Sequence, residues 1–243
     1  MTELIPLKVL FGNPERISPS ISSDGTKLAW IAPHEGVLNV WVAPISDEGV
    51  AWQADVSDER QVVAMVDGVA ERFGRLDVLI NNAGTTVYIP IPDLDSVTDE
   101  AWRDIIATNL MGPWYCARAA AAHLKKARGC IVNVASLAGH KAVSSSLPYG
   151  VSKAGLIQMT RALAYALAPE VRVNSISPGQ VVSRWARVRK GEEFAQKLEQ
   201  GWAEMVPLKR AIEPEDCAEA IMGLLRSDSI TGQDLLVDSG RSL

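Results

Sequence analysis

Ile131-Val132-Asn133-Val134-Ala135-Ser136-Leu137-Ala138-Gly139, followed after a short loop by Tyr149-Gly150-Val151-Ser152-Lys153-Ala154-Gly155, is the stretch whose reading decides the fold. Its first part reads as a buried strand and its last part as the start of a helix. Ser136 leaves the strand end, while Tyr149 and Lys153, four residues apart, stack on one face of the helix. A free phenol titrates at about 10, too high for work at neutral pH, but an ammonium one turn away favours the phenolate and brings it into range. Ser136 would then hold a substrate oxygen while Tyr149 gives or takes its proton. A Tyr-x-x-x-Lys pair also arises by chance, as a surface lysine beside a half-buried tyrosine, so the surroundings must decide.

Those surroundings are Asp55-Val56-Ser57-Asp58, Asn81-Asn82-Ala83-Gly84, Asn109 and Pro178-Gly179, which with Ser136, Tyr149 and Lys153 resemble, in order and spacing, the short-chain dehydrogenase/reductase family over about residues 49–243. The resemblance implies a Rossmann-type fold, NAD or NADP as cofactor, and hydride transfer to or from the carbonyl of a small molecule. It implies a catalytic tetrad of Asn109, Ser136, Tyr149 and Lys153. It also implies cofactor contacts from Asp55 near the adenine, from the loop with Asn81, Ala83 and Gly84, and from Pro178, Gly179 and Ser183 around the nicotinamide. Asn109 falls inside a helix expected from about Ser96–Asp99 to Lys125, where a polar amide has little local reason to sit. Either it satisfies a backbone carbonyl at a helix distortion or, as the family implies, it opens the helix to a water that relays protons to the lysine.

With 243 residues and 47% apolar content, the chain suits a globular α/β protein with a substantial core. A formal charge of -5 speaks against nucleic acid or an anionic membrane as partner. The basic stretch Arg184, Arg187, Arg189 and Lys190 reads as a solvated loop. Cys116, Cys130 and Cys217 are scattered, with no metal or disulfide pattern, and suit a reducing cytoplasm. No secretion signal and no run near the ~20 apolar residues of a membrane span can be read, so a cytoplasmic protein is expected.

The first 48 residues differ from the rest. A dinucleotide fold should open with a buried strand and a glycine-rich turn that receives the pyrophosphate. The glycines before Trp52 are Gly12, Gly25, Gly36 and Gly49, too far apart for that fingerprint. Instead an Asp24-Gly25 turn precedes two apolar runs, Lys27 to Ala32 and Leu38 to Ala43, around Gly36, the pattern of a β-hairpin. About residues 4–46 resemble a β-propeller blade of prolyl-oligopeptidase-like peptidases. The expectation is a chimera with a foreign β-hairpin segment, 1–48, and a short-chain dehydrogenase-like α/β domain, 49–243. Its fold class is α/β: a Rossmann-type three-layer parallel sheet lacking the usual first two strands and glycine-rich turn, with the hairpin in their place. The hairpin would sit at a sheet edge or across a subunit boundary, and open edges favour a homo-oligomer.

Further along, Asp58 should cap a helix with Gln61 and bury Val62, Val66, Val69 and Phe73 before Gly74 ends it. Val182 to Met205, with Trp185, Phe194, Trp202 and Met205, reads either as a mobile substrate lid or as ordinary packing. Losing the pyrophosphate cradle should weaken NAD(P) binding by on the order of 10³-fold or more. Two readings of function therefore stand beside a catalytically silent chimera. One is an oxidoreductase for a small alcohol or carbonyl with impaired cofactor binding. The other is a cofactor-independent serine esterase in which Ser136 attacks an acyl carbon with Tyr149 and Lys153 as its base.

Overall fold

The structure, a computed structural model, describes residues 17–21, 27–34, 37–44, 50–182, 187 and 191–243, with side chains described from Trp52 onward. Among these residues there are two sheets. Strands β1 (Ile17–Ile21), β2 (Lys27–His34), β3 (Val37–Pro44) and β4 (Val50–Trp52) pair antiparallel in chain order. Strands β5 (Val78–Asn81), β6 (Cys130–Val134), β7 (Arg172–Pro178) and β8 (Asp234–Val237) form a parallel sheet in the order β5-β6-β7-β8.

The strand just before Asp55, which the family resemblance would place in the parallel sheet, joins the antiparallel one instead. Its three residues pair antiparallel with the edge of β3, Val42 opposite Val50 and Val40 opposite Trp52. The same sheet changes the setting of the two runs around Gly36. As β2 and β3 they are its inner strands, flanked by β1 and β4, and no ladder joins them to the parallel sheet.

The parallel strands read as continuous apolar runs because helices cover both faces. On one face, Ile131 of β6 and Val173 of β7 pack with Val62, Met65 and Val66 of α1 (Glu59–Phe73). Cys116, Ala117, Ala120 and Leu124 of α3 (Gly112–Ala127) and Leu163, Ala164 and Leu167 of α4 (Leu147–Leu167) complete that layer. On the other face, Val132 and Ile176 meet Ile221 and Leu224 of the helix Pro214–Arg226. The order β, α, β, α with helices on both sides is the three-layer α/β arrangement.

The helix stops follow local chemistry. Asp58 caps α1 by accepting from the Arg60 N–H at 2.9 Å, and Gly74 ends it at φ 73°. Gln61 spans farther than a simple capping box, donating to Asp58 at 3.2 Å and accepting from the Asp55 N–H at 3.0 Å. Trp52 joins the antiparallel sheet to this helix. A β-carbon on Gly68 would lie 2.2 Å from its indole ring, so only glycine admits the contact. The helix expected from Ser96–Asp99 to Lys125 is found as α2 (Asp99–Ile106) and α3, joined by a π-helical turn at Ala107–Met111.

Two positions secure the far end of the sheet. Arg172 donates to the carbonyls of Leu224 and Leu225, both at 2.9 Å, placing its cation at the C-terminal end of the helix Pro214–Arg226. Ser239 has a left-handed φ of 54°, a conformation that favours glycine. It is buried, and its hydroxyl has no hydrogen-bond partner. Ser239→Gly therefore relieves both a left-handed backbone and an unpaired buried hydroxyl. It should stabilise the fold by about 1 kcal/mol, read as a higher urea midpoint at unchanged slope.

Candidate active site

The end of β6 makes the site. Its backbone continues to Ala135, whose N–H donates to the Ile176 carbonyl at 2.8 Å, and then leaves the sheet at Ser136. Ser136 caps a single 3-10 turn, Leu137–Gly139, and its hydroxyl accepts from the Ala138 N–H at 3.2 Å. That turn lies directly on α4. A β-carbon on Gly139 would come within 2.9 Å of the Ala154 nitrogen and of the Lys153 carbonyl carbon. With the turn held there, the Ser136 hydroxyl hydrogen-bonds the Tyr149 phenol.

The sequence argument for a lowered phenol pKa needs correction. Burial pushes Tyr149 up to about 12, the hydrogen bond from Ser136 only partly offsets this, and the neighbouring phenol of Tyr88 adds to the rise. Lys153 is buried, and burial brings its amine down to about 8. The ammonium lies 5.8 Å from the centre of the Tyr149 ring, but its hydrogen bond goes to the Val134 carbonyl at 2.7 Å. Two groups that each lose water become more neutral, and with the amine turned to the strand end the phenol receives no net lowering.

Asn109 is fully buried in the π-helical turn. Its Oδ1 accepts from the Thr85 N–H at 2.7 Å, and its Nδ2 donates to the Thr85 carbonyl at 2.9 Å and to the Ser152 hydroxyl at 3.1 Å. Ser152 in turn donates to the Tyr149 carbonyl at 2.7 Å. Asn109 thus clasps the residue after Asn81-Asn82-Ala83-Gly84 and reaches the tyrosine's own peptide. The Thr85–Ile89 segment is also fixed from the other side: Thr86 and Ser145 share a hydroxyl hydrogen bond of 2.7 Å, and the Ile89 N–H donates to the Ser145 carbonyl at 2.9 Å.

The expected cofactor residues are disposed differently from one another. The Asn81 amide is buried and turned into the sheet, donating to the Asn133 Oδ1 at 2.8 Å. Ala83 lines an apolar cavity of about 40 Å³ with Ala54, Val56, Met65, Leu79 and Gly112. Asp55 is exposed beside it, its carboxylate accepting from the Ser57 N–H and hydroxyl at 2.9 and 2.7 Å. Gly84 is half-buried and leads into Thr85. Pro178 ends β7, and the Gly179 N–H donates to the Val237 carbonyl at 2.8 Å. A β-carbon on Gly179 would lie 2.3 Å from the indole of Trp202, in α5 (Glu192–Met205). Ser183 lies outside the described residues.

The described part of the segment expected as lid or packing makes packing contacts, and Trp185 lies outside the described residues. Ala195 of α5 is fully buried, while Phe194 meets Tyr88 edge to face at 5.9 Å, above the loop that Asn109 holds. No group of three or more metal-ligating side chains occurs among the described residues.

Residues 19–242 match the family model described as Enoyl-(Acyl carrier protein) reductase. The chain belongs to the short-chain dehydrogenase/reductase family. It is 43% identical over 180 residues, 74% of this chain and 71% of the relative, to a Streptomyces violaceoruber protein named as ketoacyl reductase 2 of the granaticin polyketide synthase. It is 36% identical over 183 residues, 74% and 69%, to the meso-2,3-butanediol dehydrogenase of Serratia marcescens. Among solved structures, the NAD+-bound xylitol dehydrogenase superposes with a TM-score of 0.68 at 29% identity over 78% of both chains. The chain is thus an oxidoreductase of the short-chain dehydrogenase/reductase type, and its parallel sheet is the family's Rossmann-like one. No described helix is long and apolar enough to cross a membrane.

Sequence reasoning passed over Asn133, Ser152 and the pair His140–Asp234. Asn133 was readable as a polar residue inside an apolar strand, and it donates to the Thr160 hydroxyl at 2.8 Å. His140 donates from Nε2 to the Asp234 carboxylate at 2.7 Å, which also accepts from the Ser175 and Ser177 hydroxyls at 2.5 and 3.0 Å. This ties the far end of the Ser136 turn to β8, and no local pattern in the sequence signals a pairing 94 residues apart.

The two shifted groups give the fold opposite pH slopes. Between about 8 and 10.5 the unfolded chain holds the Lys153 proton that the folded one has released, so stability rises with pH. Between 10 and about 12 the folded chain keeps the Tyr149 proton that the unfolded one loses, so stability falls. The buried thiols of Cys116, Cys130 and Cys217, held protonated by burial, lower stability above pH 9 in any variant that keeps them, so the Lys153 contribution is read as a difference: the stability gap between wild type and Lys153→Met from urea unfolding should shift in favour of wild type by about 2 kcal/mol from pH 8 to pH 10. An unchanged slope in the variant would show that the amine keeps an ordinary pKa.

Proposed function

We propose that Asn109, Ser136, Tyr149 and Lys153 form the catalytic set of a short-chain dehydrogenase/reductase acting on a small alcohol or carbonyl with NAD or NADP. The observation that carries this reading is the hydrogen-bonded Ser136–Tyr149 pair with buried Lys153 beneath it. A substrate oxygen placed between the two hydroxyls would accept from both. A phenol that stays protonated up to about 12 holds the proton that carbonyl reduction must deliver, and making it acid enough to work falls to whatever returns charge to Lys153.

A bound nicotinamide would supply or accept the hydride. The residues fit one end of such a group better than the other. Lys153, with donors to spare beyond the Val134 carbonyl, and Pro178-Gly179 would hold the nicotinamide side, and Asp55 with the apolar cavity at Ala54, Val56 and Ala83 would take the adenine side. The pyrophosphate cradle is the weak part of the fit, since residues 1–48 carry no glycine-rich fingerprint, and impaired cofactor affinity belongs to this proposal.

Three further expectations are retained as proposals. The division into 1–48 and 49–243, with the first part derived from a propeller blade, stays a proposal, and the antiparallel sheet crosses its boundary, since the fourth strand is Val50–Trp52. The family match begins inside that segment, at residue 19. A cytoplasmic location fits the three free cysteines. A homo-oligomer draws support from exposed apolar side chains on α4 and β8, Tyr165 at 91% and Leu235 at 44% exposure, and sedimentation velocity should give a mass above 26.2 kDa.

The deciding measurement pairs binding with turnover. NADH and NADPH are titrated by fluorescence, and acetoin reduction is followed at 340 nm. One of the two nucleotides should bind and support turnover, and Tyr149→Phe should lower kcat by on the order of 10³-fold with binding intact. Hydrolysis of p-nitrophenyl acetate that disappears in Ser136→Ala, without nucleotide binding, would replace this reading by the esterase one.

A further inference from the structure

Ser152 is buried one turn beyond Tyr149, and nothing in the mechanism above uses it. Its hydroxyl has one hydrogen, and that hydrogen goes to the Tyr149 carbonyl at 2.7 Å. Towards Asn109, at 3.1 Å, it can act only as acceptor, so only the Nδ2 end of the Asn109 amide can face it. On the opposite side the Thr85 N–H, at 2.7 Å, needs the Oδ1 end. A flipped amide would set donor against donor at Thr85 and acceptor against acceptor at Ser152.

We propose that Ser152 is a positioning residue: it ties the Asn109 amide, whose polarity Thr85 already sets, to the Tyr149 carbonyl and thereby couples the Tyr149 peptide to the Thr85 peptide across the site. This rests on the reading of Tyr149 as the proton donor. The helix does not need the hydroxyl for its own integrity. The Tyr149 carbonyl lies in the first turn of α4, where the N–H four residues on serves as its regular partner. Asn109 likewise keeps both Thr85 contacts when Ser152 is gone. What is lost is the third contact of the amide, the one that anchors it to the Tyr149 peptide and restrains its movement together with Thr85. Thr85 leads into Tyr88 and the segment zipped to Ser145, so its freedom becomes freedom of the wall opposite Tyr149.

The test uses Ser152→Ala, Asn109→Ala and the double variant in the full chain. Hydrogen exchange at the Thr85 amide is read first, because it needs neither cofactor nor turnover. Ser152→Ala should speed that exchange about tenfold while distant core amides in β6 and the melting temperature stay nearly unchanged. In acetoin reduction it should lower kcat by on the order of tenfold with KM little altered, the mark of misplacement in the transition state. The double variant should be no slower than Asn109→Ala, because both act through one amide. Unchanged Thr85 exchange, or a double variant whose loss is the product of the two single losses, overturns the proposal. Faster exchange without any wild-type turnover would keep the coupling and remove only the oxidoreductase reading on which its catalytic use depends.

Discussion

The contact on which the site depends is the seating of the Leu137–Gly139 turn on α4. Gly139 has no β-carbon because the Lys153–Ala154 backbone and the Ile157 side chain occupy that space. The approach brings a hydroxyl that left the sheet at Ser136 against a phenol that entered with the helix. An alanine at 139 would have to push the turn off the helix by several tenths of an ångström, and the Ser136–Tyr149 hydrogen bond would lengthen with it. The other end of the turn is held by His140 on Asp234, so the movement could not be absorbed downstream. Packing at one glycine thus sets the geometry of a polar pair, and the rest of the molecule holds the two elements that meet there.

The charge state of that pair follows from burial rather than from mutual attraction. An ammonium within 5.8 Å of a phenol ring should favour phenolate, yet both groups move towards neutrality. Burial alone moves the lysine, and the group that receives its hydrogen bond is a neutral carbonyl. Desolvation therefore wins over a Coulomb contribution that would need a charged partner to be realised. In the free site the phenol keeps its proton. Working it as a base requires something that returns charge to Lys153, and a bound ligand rich in oxygen acceptors is the kind of group that does so.

Much of this was legible in the sequence. The apolar runs at β5, β6 and β7, the stripe of α1 and the Gly74 stop follow from periodicity and capping alone, and the spacing of Tyr149 and Lys153 placed both on α4. The pairing of β4 was not legible, because three residues of β-forming sequence carry no record of which edge they join. The direction of the Tyr149 shift was misread for a related reason: spacing on a helix gives proximity, whereas the sign depends on where the lysine's hydrogen bond goes, and the Val134 carbonyl is a backbone group with no signature. Asn109 was read as a helix distortion or a relay, and a π-helical turn is indeed what the chain forms there.

Two chains of polar side chains show how α4 organises the rest. In one, Asn81 donates to Asn133, Asn133 to Thr160, and Thr160 to the Leu156 carbonyl at 2.9 Å. In the other, Asn109 donates to Ser152, and Ser152 to the Tyr149 carbonyl. Both end the same way: a hydroxyl on α4 commits its only hydrogen to a carbonyl three or four residues back in its own helix. The hydroxyl is thereby made a pure acceptor, and the amide above it can present only its nitrogen. The two amides that face these hydroxyls are Asn133 in β6, which in turn receives Asn81 at the end of β5, and Asn109 behind the loop that follows β5. α4 therefore carries the tyrosine and the lysine and, through the hydroxyls of Ser152 and Thr160, also anchors the asparagine amides that reach the opposite wall. A buried polar network is costly when one member is unsatisfied, so these hydroxyls define one arrangement of strand, turn and loop rather than adding general stability.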